Sequence, residues 1–186
     1  GGDDVIRSIA LQADGKIVVG GGAVMGSAGP LGQPGTSTGS DFALARYNAD
    51  GSLDASFGAG GIVTTDIDGP DTAFALTLQA DGKLVAAGTS RAANGQNFSA
   101  ARYLTDGTLD VGFGTGGKVL TDFGSRDLGR TVRVQSDGKI VIAGSSSQRL
   151  DSPPDTFLNQ TFAARLIGTE TAPSARITRT GTATCG

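Results

Sequence analysis

The sequence runs to 186 residues with a formal net charge of −3, and 31 of them are glycine, against an average usage of about 7%. Its acidic residues are 17 Asp and one Glu, a bias towards turns and away from helices, and the acidic balance argues against general nucleic-acid binding. With no His and one Cys, the chain lacks the groups for Ser-His-Asp or Cys-His catalysis, His-ligated zinc, multi-Cys metal sites and an internal disulfide framework.

The chain begins at Gly1-Gly2 rather than Met, which reads as a processed chain or a fragment of a longer one. No apolar run approaches the roughly 18 residues that a membrane span requires. The alternation of Ile9 and Leu11 marks a first strand, ended by Asp14-Gly15. Asp-Gly between two apolar runs predicts a type I′ hairpin leading into a second strand, Ile17-Val18-Val19. Gly26–Ser40, rich in Gly, Ser, Pro and Thr, reads as a surface loop. Phe42–Tyr47, too short for a free-standing helix and bounded by turn residues, is expected as a third strand, and Ile62–Ile67 as a fourth.

These elements repeat. Leu11-Gln12-Ala13-Asp14-Gly15-Lys16-Ile17-Val18 returns as Leu78-Gln79-Ala80-Asp81-Gly82-Lys83-Leu84-Val85 and again as Val134-Gln135-Ser136-Asp137-Gly138-Lys139-Ile140-Val141. Phe42-Ala43-Leu44-Ala45-Arg46-Tyr47 matches Phe98-Ser99-Ala100-Ala101-Arg102-Tyr103 and, more loosely, Phe162-Ala163-Ala164-Arg165-Leu166. Gly51-Ser52-Leu53-Asp54 through Phe57-Gly58 matches Gly107-Thr108-Leu109-Asp110 through Phe113-Gly114, with no third copy. The expected organisation is therefore a unit at 1–67, a second at 68–123, a partial third at 124–168 and an atypical, Thr-rich, strand-like tail at 169–186. In the third unit Phe162 stands three residues before Arg165, where Phe42 and Phe98 stand four before their Arg, so a bulge or a change of face is expected there.

Units carrying Leu-Gln-x-Asp-Gly-Lys, Phe-x-x-Ala-Arg-Tyr and Asp-Gly-x-Leu-Asp-x-x-Phe-Gly-x-Gly-Gly resemble the bacterial delta-60 repeat. The resemblance covers residues 4 to 166. It implies an all-β fold of three tandem, four-stranded, propeller-type antiparallel blades in an extracellular or bacterial cell-surface protein. It supplies no catalytic residues to carry over. Closed propellers typically use 4–8 blades, so three blades are not closed by one chain alone. That leaves a longer propeller, closure across chains, or edge pairing between chains.

The expected function is non-enzymatic: a structural or adhesive repeat protein that assembles with itself by β-edge or tail-strand pairing between chains, in a ring or filament. The assembly candidates are Ile177, Thr178, Thr180 and Thr182 of the tail, with Cys185 as either an intermolecular bridge or a free thiol without a role. The alternative is a module that binds a glycan or surface protein through the variable loops Gly26–Ser40, Arg91–Asn97 and Ser145–Gln160. No cofactor is expected, with calcium as the open case: Asn48, Asp50 and Asp54 present oxygen ligands at positions 1, 3 and 7 of a turn. Turn geometry and an Asp54–Arg46 pair explain the same residues. Catalysis by paired carboxylates would rest on Asp151 and Asp155, the pair outside the repeated turns. Arg46, Arg102 and Arg165 read as inter-strand ion-pair partners, and Phe57, Phe113, Tyr47 and Tyr103 as core fillers. Gly20-Gly21-Gly22 lacks the Lys-Ser/Thr and the helix of a phosphate loop.

Overall fold

The computed structural model describes residues 4–24, 39–93, 95–123, 126–149, 157–166 and 176–182. Among them there is no helix, hence none long and apolar enough to cross a membrane. The strands are β1 (Val5–Leu11), β2 (Ile17–Val24), β3 (Ser40–Tyr47), β4 (Ile62–Thr65), β5 (Asp71–Leu78), β6 (Leu84–Ala92), β7 (Gly95–Tyr103), β8 (Lys118–Thr121), β9 (Arg126–Val134), β10 (Ile140–Arg149), β11 (Phe157–Leu166) and β12 (Arg176–Thr182). β1 to β4 pair antiparallel in chain order as one sheet. β5 to β8 and β9 to β12 repeat that meander and join one another through a single parallel bridge, Gln96 to Arg126. Neither sheet closes on itself among the described residues. The segment expected as a tail apart from the third unit thus contributes β12, the outer partner of β11.

The hairpins differ from the expected type I′ form. Gly15 N–H donates to the Gln12 carbonyl (3.0 Å) and Gln12 N–H to the Lys16 carbonyl (2.8 Å), closing a three-residue loop. Gly15 sits at φ 83°, the left-handed position after a turn that forms a G1 bulge. The Asp-Gly signal therefore located the hairpin, but Asp14 lies before the single left-handed residue, where its Oδ1 accepts the Lys16 N–H (3.2 Å). The same bonds recur around Gly82 and Gly138.

The glycines of β2, β6 and β10 answer to a different constraint. β1, β5 and β9 each lose register opposite them, between Ile6 and Ser8, between Ala73 and Ala75, and at Gly129. Such bulges push a carbonyl over the partner strand. A Cβ on Gly21, Gly88 or Gly144 would stand 1.7, 1.9 or 1.8 Å from the oxygen of Val5, Thr72 or Leu128. The bulged Arg7, Phe74 and Arg130 stack in turn: both guanidinium groups lie over the Phe74 ring, 5.3 and 4.9 Å from its centre. In the third meander Phe162 pairs with Gly144, the register position of Ala43 and Ser99 rather than that of Phe42 and Phe98. β10 and β11 pair without interruption, and the register shift falls between β11 and β12, at Gln160/Phe162.

Two apolar clusters hold the sheets face to face. Val18, Phe42, Leu44 and Phe57 of the first meander pack on Ala73, Leu76, Leu84, Ala86, Ala101 and Tyr103 of the second. Val85, Phe98, Ala100 and Phe113 of the second pack on Val132, Ile140 and Ile142 of the third. The second meander is therefore apolar on both faces, one packed on the first meander and the other on the third.

Candidate functional site

The turn after β3 is a staple. Arg46 Nε donates to Asp54 Oδ2 at 2.7 Å, and Lys16 Nζ reaches the same oxygen at 2.8 Å from the hairpin between β1 and β2. Lys16 and Ser56, with Arg46, hold the Asp54 carboxyl well below its usual range. The guanidinium also lies 4.6 Å above the ring of buried Phe57 and donates to the Thr105 carbonyl of the second meander. Gly58 N–H donates to the Asp106 carbonyl at 2.8 Å. The repeated Lys, Arg, Asp and Phe of separate sequence blocks thus meet in one place and dock one meander on the next. Arg102, Lys83, Asp110 and Phe113 repeat the set, with Arg102 to Asp110 at 2.9 Å and Lys83 to Asp110 at 3.1 Å. In the third meander, where the Leu-Asp block has no copy, Lys139 pairs with Asp137 instead.

This accounts for the turn residues singled out as calcium ligands. Asn48 Nδ2 donates to Ser52 Oγ, Asp50 Oδ1 accepts both the N–H and the hydroxyl of Ser52, and both Asp54 oxygens have protein donors. A cation at Asp54 would compete with Lys16 and Arg46 for one carboxylate.

A cleft of about 910 Å³ opens between the hairpins of the second and third meanders, lined among others by Lys83, Arg102, Asp110 and Asp137. Burial tends to raise Asp110, but Lys83 and Arg102 outweigh it and the carboxyl is held low. Glycoside hydrolysis needs one carboxyl held protonated beside an ionised one; Asp110 and Asp137 both have cationic partners here. Asp151 and Asp155 lie outside the described residues.

The first meander carries the most distinctive surface. Cross-strand partners share one face of a sheet, and two rows of such partners are Leu11–Ile17–Tyr47 and Ile9–Val19–Ala45–Ile62. Ile6 stands in the next row on the same face, opposite Gly21. Ile6 is 67% exposed, Ile9 61%, Leu11 69% and Ile62 46%. The corresponding rows of the second meander are Leu78–Leu84–Tyr103 and Leu76–Ala86–Ala101–Lys118. There Leu76 is 6% exposed and Leu84, Ala86, Ala101 and Tyr103 are fully buried, because the opposite face of the first meander lies on them. Tyr103 Oη donates to Thr65 Oγ1 of β4 at 2.9 Å within that contact, while Tyr47, at the same register position, is only half-buried. The same apolar design is covered in one meander and open to solvent in the other. Sequence alternation located these strands but gives Ile9 and Leu76 identical signals.

Of the assembly candidates, Ile177 and Thr178 pair with Ala164 and Ala163 of β11, and Thr182 with Gln160; Thr180 lies in the same strand, β12. β12 is therefore used within its own chain. Cys185 lies outside the described residues, as do most of the loop Gly26–Ser40 and part of each of the other two.

The chain matches the family described as "Domain of unknown function (DUF5122) beta-propeller" over residues 12–31, 32–57, 79–113 and 135–158, more than half of its length. No curated protein matches it.

Proposed function

The chain belongs to this beta-propeller family of unknown function, and from that premise we propose that it is a non-enzymatic structural or adhesive protein that assembles with copies of itself. In this reading each meander is one four-stranded propeller blade and the chain supplies three. The delta-60 resemblance supports that unit and an extracellular setting. One observation carries the assembly: the face of Ile6, Ile9, Leu11 and Ile62 is exposed, although its counterpart in the second meander is buried by a neighbouring sheet. Contiguous exposed apolar surface of this kind marks an interaction site. A second copy covers it with the sheet face opposite, as the first meander covers the second. That contact is head-to-tail, and it gives a ring if the rotation closes and a filament if it does not.

Face stacking fits better than pairing of strand edges. The edge strands β4 and β8 are four residues each, β1 and β5 are bulged, and the edge strand β12 shifts register against β11, devices that discourage strand addition. The test is the mass and shape of the particle by light scattering and negative-stain microscopy across a concentration series. Rings or filaments that dissociate on dilution are expected; a monomer at every concentration refutes self-assembly. The competing proposal, recognition of a glycan or surface protein by the variable loops, predicts instead that shortening Gly26–Ser40 abolishes binding to cells or glycans and leaves the particle unchanged.

A further inference from the structure

The link from β4 to β5 and the link from β8 to β9 are built alike. Ile67 N–H donates to Asp71 Oδ2 at 2.5 Å, and Phe123 N–H to Asp127 Oδ2 at 2.6 Å, with both carboxylates fully buried. Near the start of the third strand the first meander has Asp41 where the second has Asn97, and between the shared Asp residues the first link reads Ile67-Asp68-Gly69-Pro70 where the second reads Phe123-Gly124-Ser125-Arg126.

Around the first link, one carboxylate oxygen from each of Asp41, Asp66 and Asp71 lies within 4.8 Å of the others. The cluster is held by its surroundings, since Ser40 Oγ donates to the Asp71 carbonyl at 2.8 Å and ties the start of β3 to the start of β5. Asp41 is 8% exposed and Asp71 fully buried, and the Oδ1 atom of each has no hydrogen-bond donor. Among the described residues no Lys or Arg forms an ion pair with any of the three; Lys118 Nζ bonds the Asp66 main-chain carbonyl instead. A buried carboxylate without a donor is costly. Burial and the neighbouring Asp66 raise Asp41, and burial, partly offset by Ser90, raises Asp71 to about 6. Three acidic groups converge where positive charge is missing.

We propose that Asp41, Asp66 and Asp71 bind a calcium ion between the first and second meanders. Three carboxylate oxygens this close can share one cation, and calcium accepts irregular sets of oxygen ligands where magnesium demands a near-ideal octahedron. The ion supplies the positive charge that the three converging carboxylates lack, and ties β3, the β4–β5 link and β5 together. This site is distinct from the assembly contact proposed above: none of Ile6, Ile9, Leu11 and Ile62 belongs to it, and its test uses dilute protein.

The experiment is calorimetric titration of the full chain with calcium chloride after dialysis against a chelator, with thermal melting followed in parallel. One ion per chain is expected, with a midpoint that rises with calcium concentration. Asp41→Asn gives the first link the residue of the second, so the variant is expected to fold and to lose at least tenfold in calcium affinity. Asp66→Asn, at an exposed position, should lose affinity similarly while the calcium-free midpoint stays at or above the parent's, because the charge that disfavours ionised Asp41 is gone. The absence of both heat and midpoint shift at about 10 mM calcium, above the weak range of extracellular calcium modules, overturns the proposal. Wild-type affinity in both variants overturns the ligand assignment, and equal affinity for magnesium overturns the choice of ion.

Discussion

Replacing Ile9 and Leu11 by lysine tests whether the open face of the first meander is the assembly surface. Full burial of an Ile or Leu side chain contributes about 1.5–3 kcal/mol relative to exposure. Ile9 is 61% and Leu11 69% exposed, so a partner sheet that covers them recovers about 1–2 kcal/mol from each on the same scale. The double variant forfeits about 2–4 kcal/mol, and the two buried ammonium groups add to the loss. At about 1.4 kcal/mol per tenfold, the dissociation constant rises by at least about 30- to 1000-fold. In the single chain both side chains face solvent, and exposed substitutions change stability by about 0.5 kcal/mol or less. The melting midpoint of the dissociated protein should therefore move by no more than about 2 °C. Sedimentation velocity over a hundredfold range of concentration reads the association, and thermal melting of dilute samples reads the fold. Association unchanged in Ile9→Lys/Leu11→Lys, with the midpoint also unchanged, refutes the face as the contact. A large fall in midpoint of the dilute protein refutes the premise that the face is open.

Gly88→Ala should prevent folding or cost more than about 4 kcal/mol, because the added methyl stands 1.9 Å from the Thr72 carbonyl. Gly51→Ala, at φ 86° with open space around it, should cost only about 1–2 kcal/mol in chemical denaturation. Phe57→Ala removes a fully buried ring and the face on which Arg46 rests, and should lower stability by about 3–5 kcal/mol. Asp54→Asn tests the staple through acid unfolding. The native carboxyl titrates below its unfolded value of about 3.9, so the native state binds fewer protons than the unfolded one, and its stabilisation is present above about pH 4 and lost as pH falls below it. The variant should be less stable at pH 7 and show a shallower loss of stability below pH 4 than the parent; parallel acid limbs would refute the Lys16–Asp54–Arg46 coupling.

What the sequence by itself determined is local. Alternating apolar residues, a glycine at each hairpin and the recurrence of the blocks around Lys16, Arg46 and Phe57 were enough to locate the hairpins and most of the strands, because period-2 patterning and left-handed glycine positions act within a few residues. The type of hairpin was not legible, since Asp-Gly serves the two-residue loop and the three-residue loop alike, and only the bond from Gly15 to Gln12 separates them. The need for Gly21, Gly88 and Gly144 was hidden too, because the carbonyl that excludes a side chain belongs to another strand. The same limit governs the sites. The pairing of Asp54 with Arg46 was legible, but not that Lys16, 38 residues away, shares the same oxygen. Asp41 and Asp71 gave no signal of their convergence because they stand 30 positions apart, in β3 and β5, with β4 between them. Ile9 and Leu76 read identically in sequence, yet one is exposed and the other buried. Burial of a sheet face is decided by whether another sheet lies on it, and that is a property of the packed neighbours rather than of the strand.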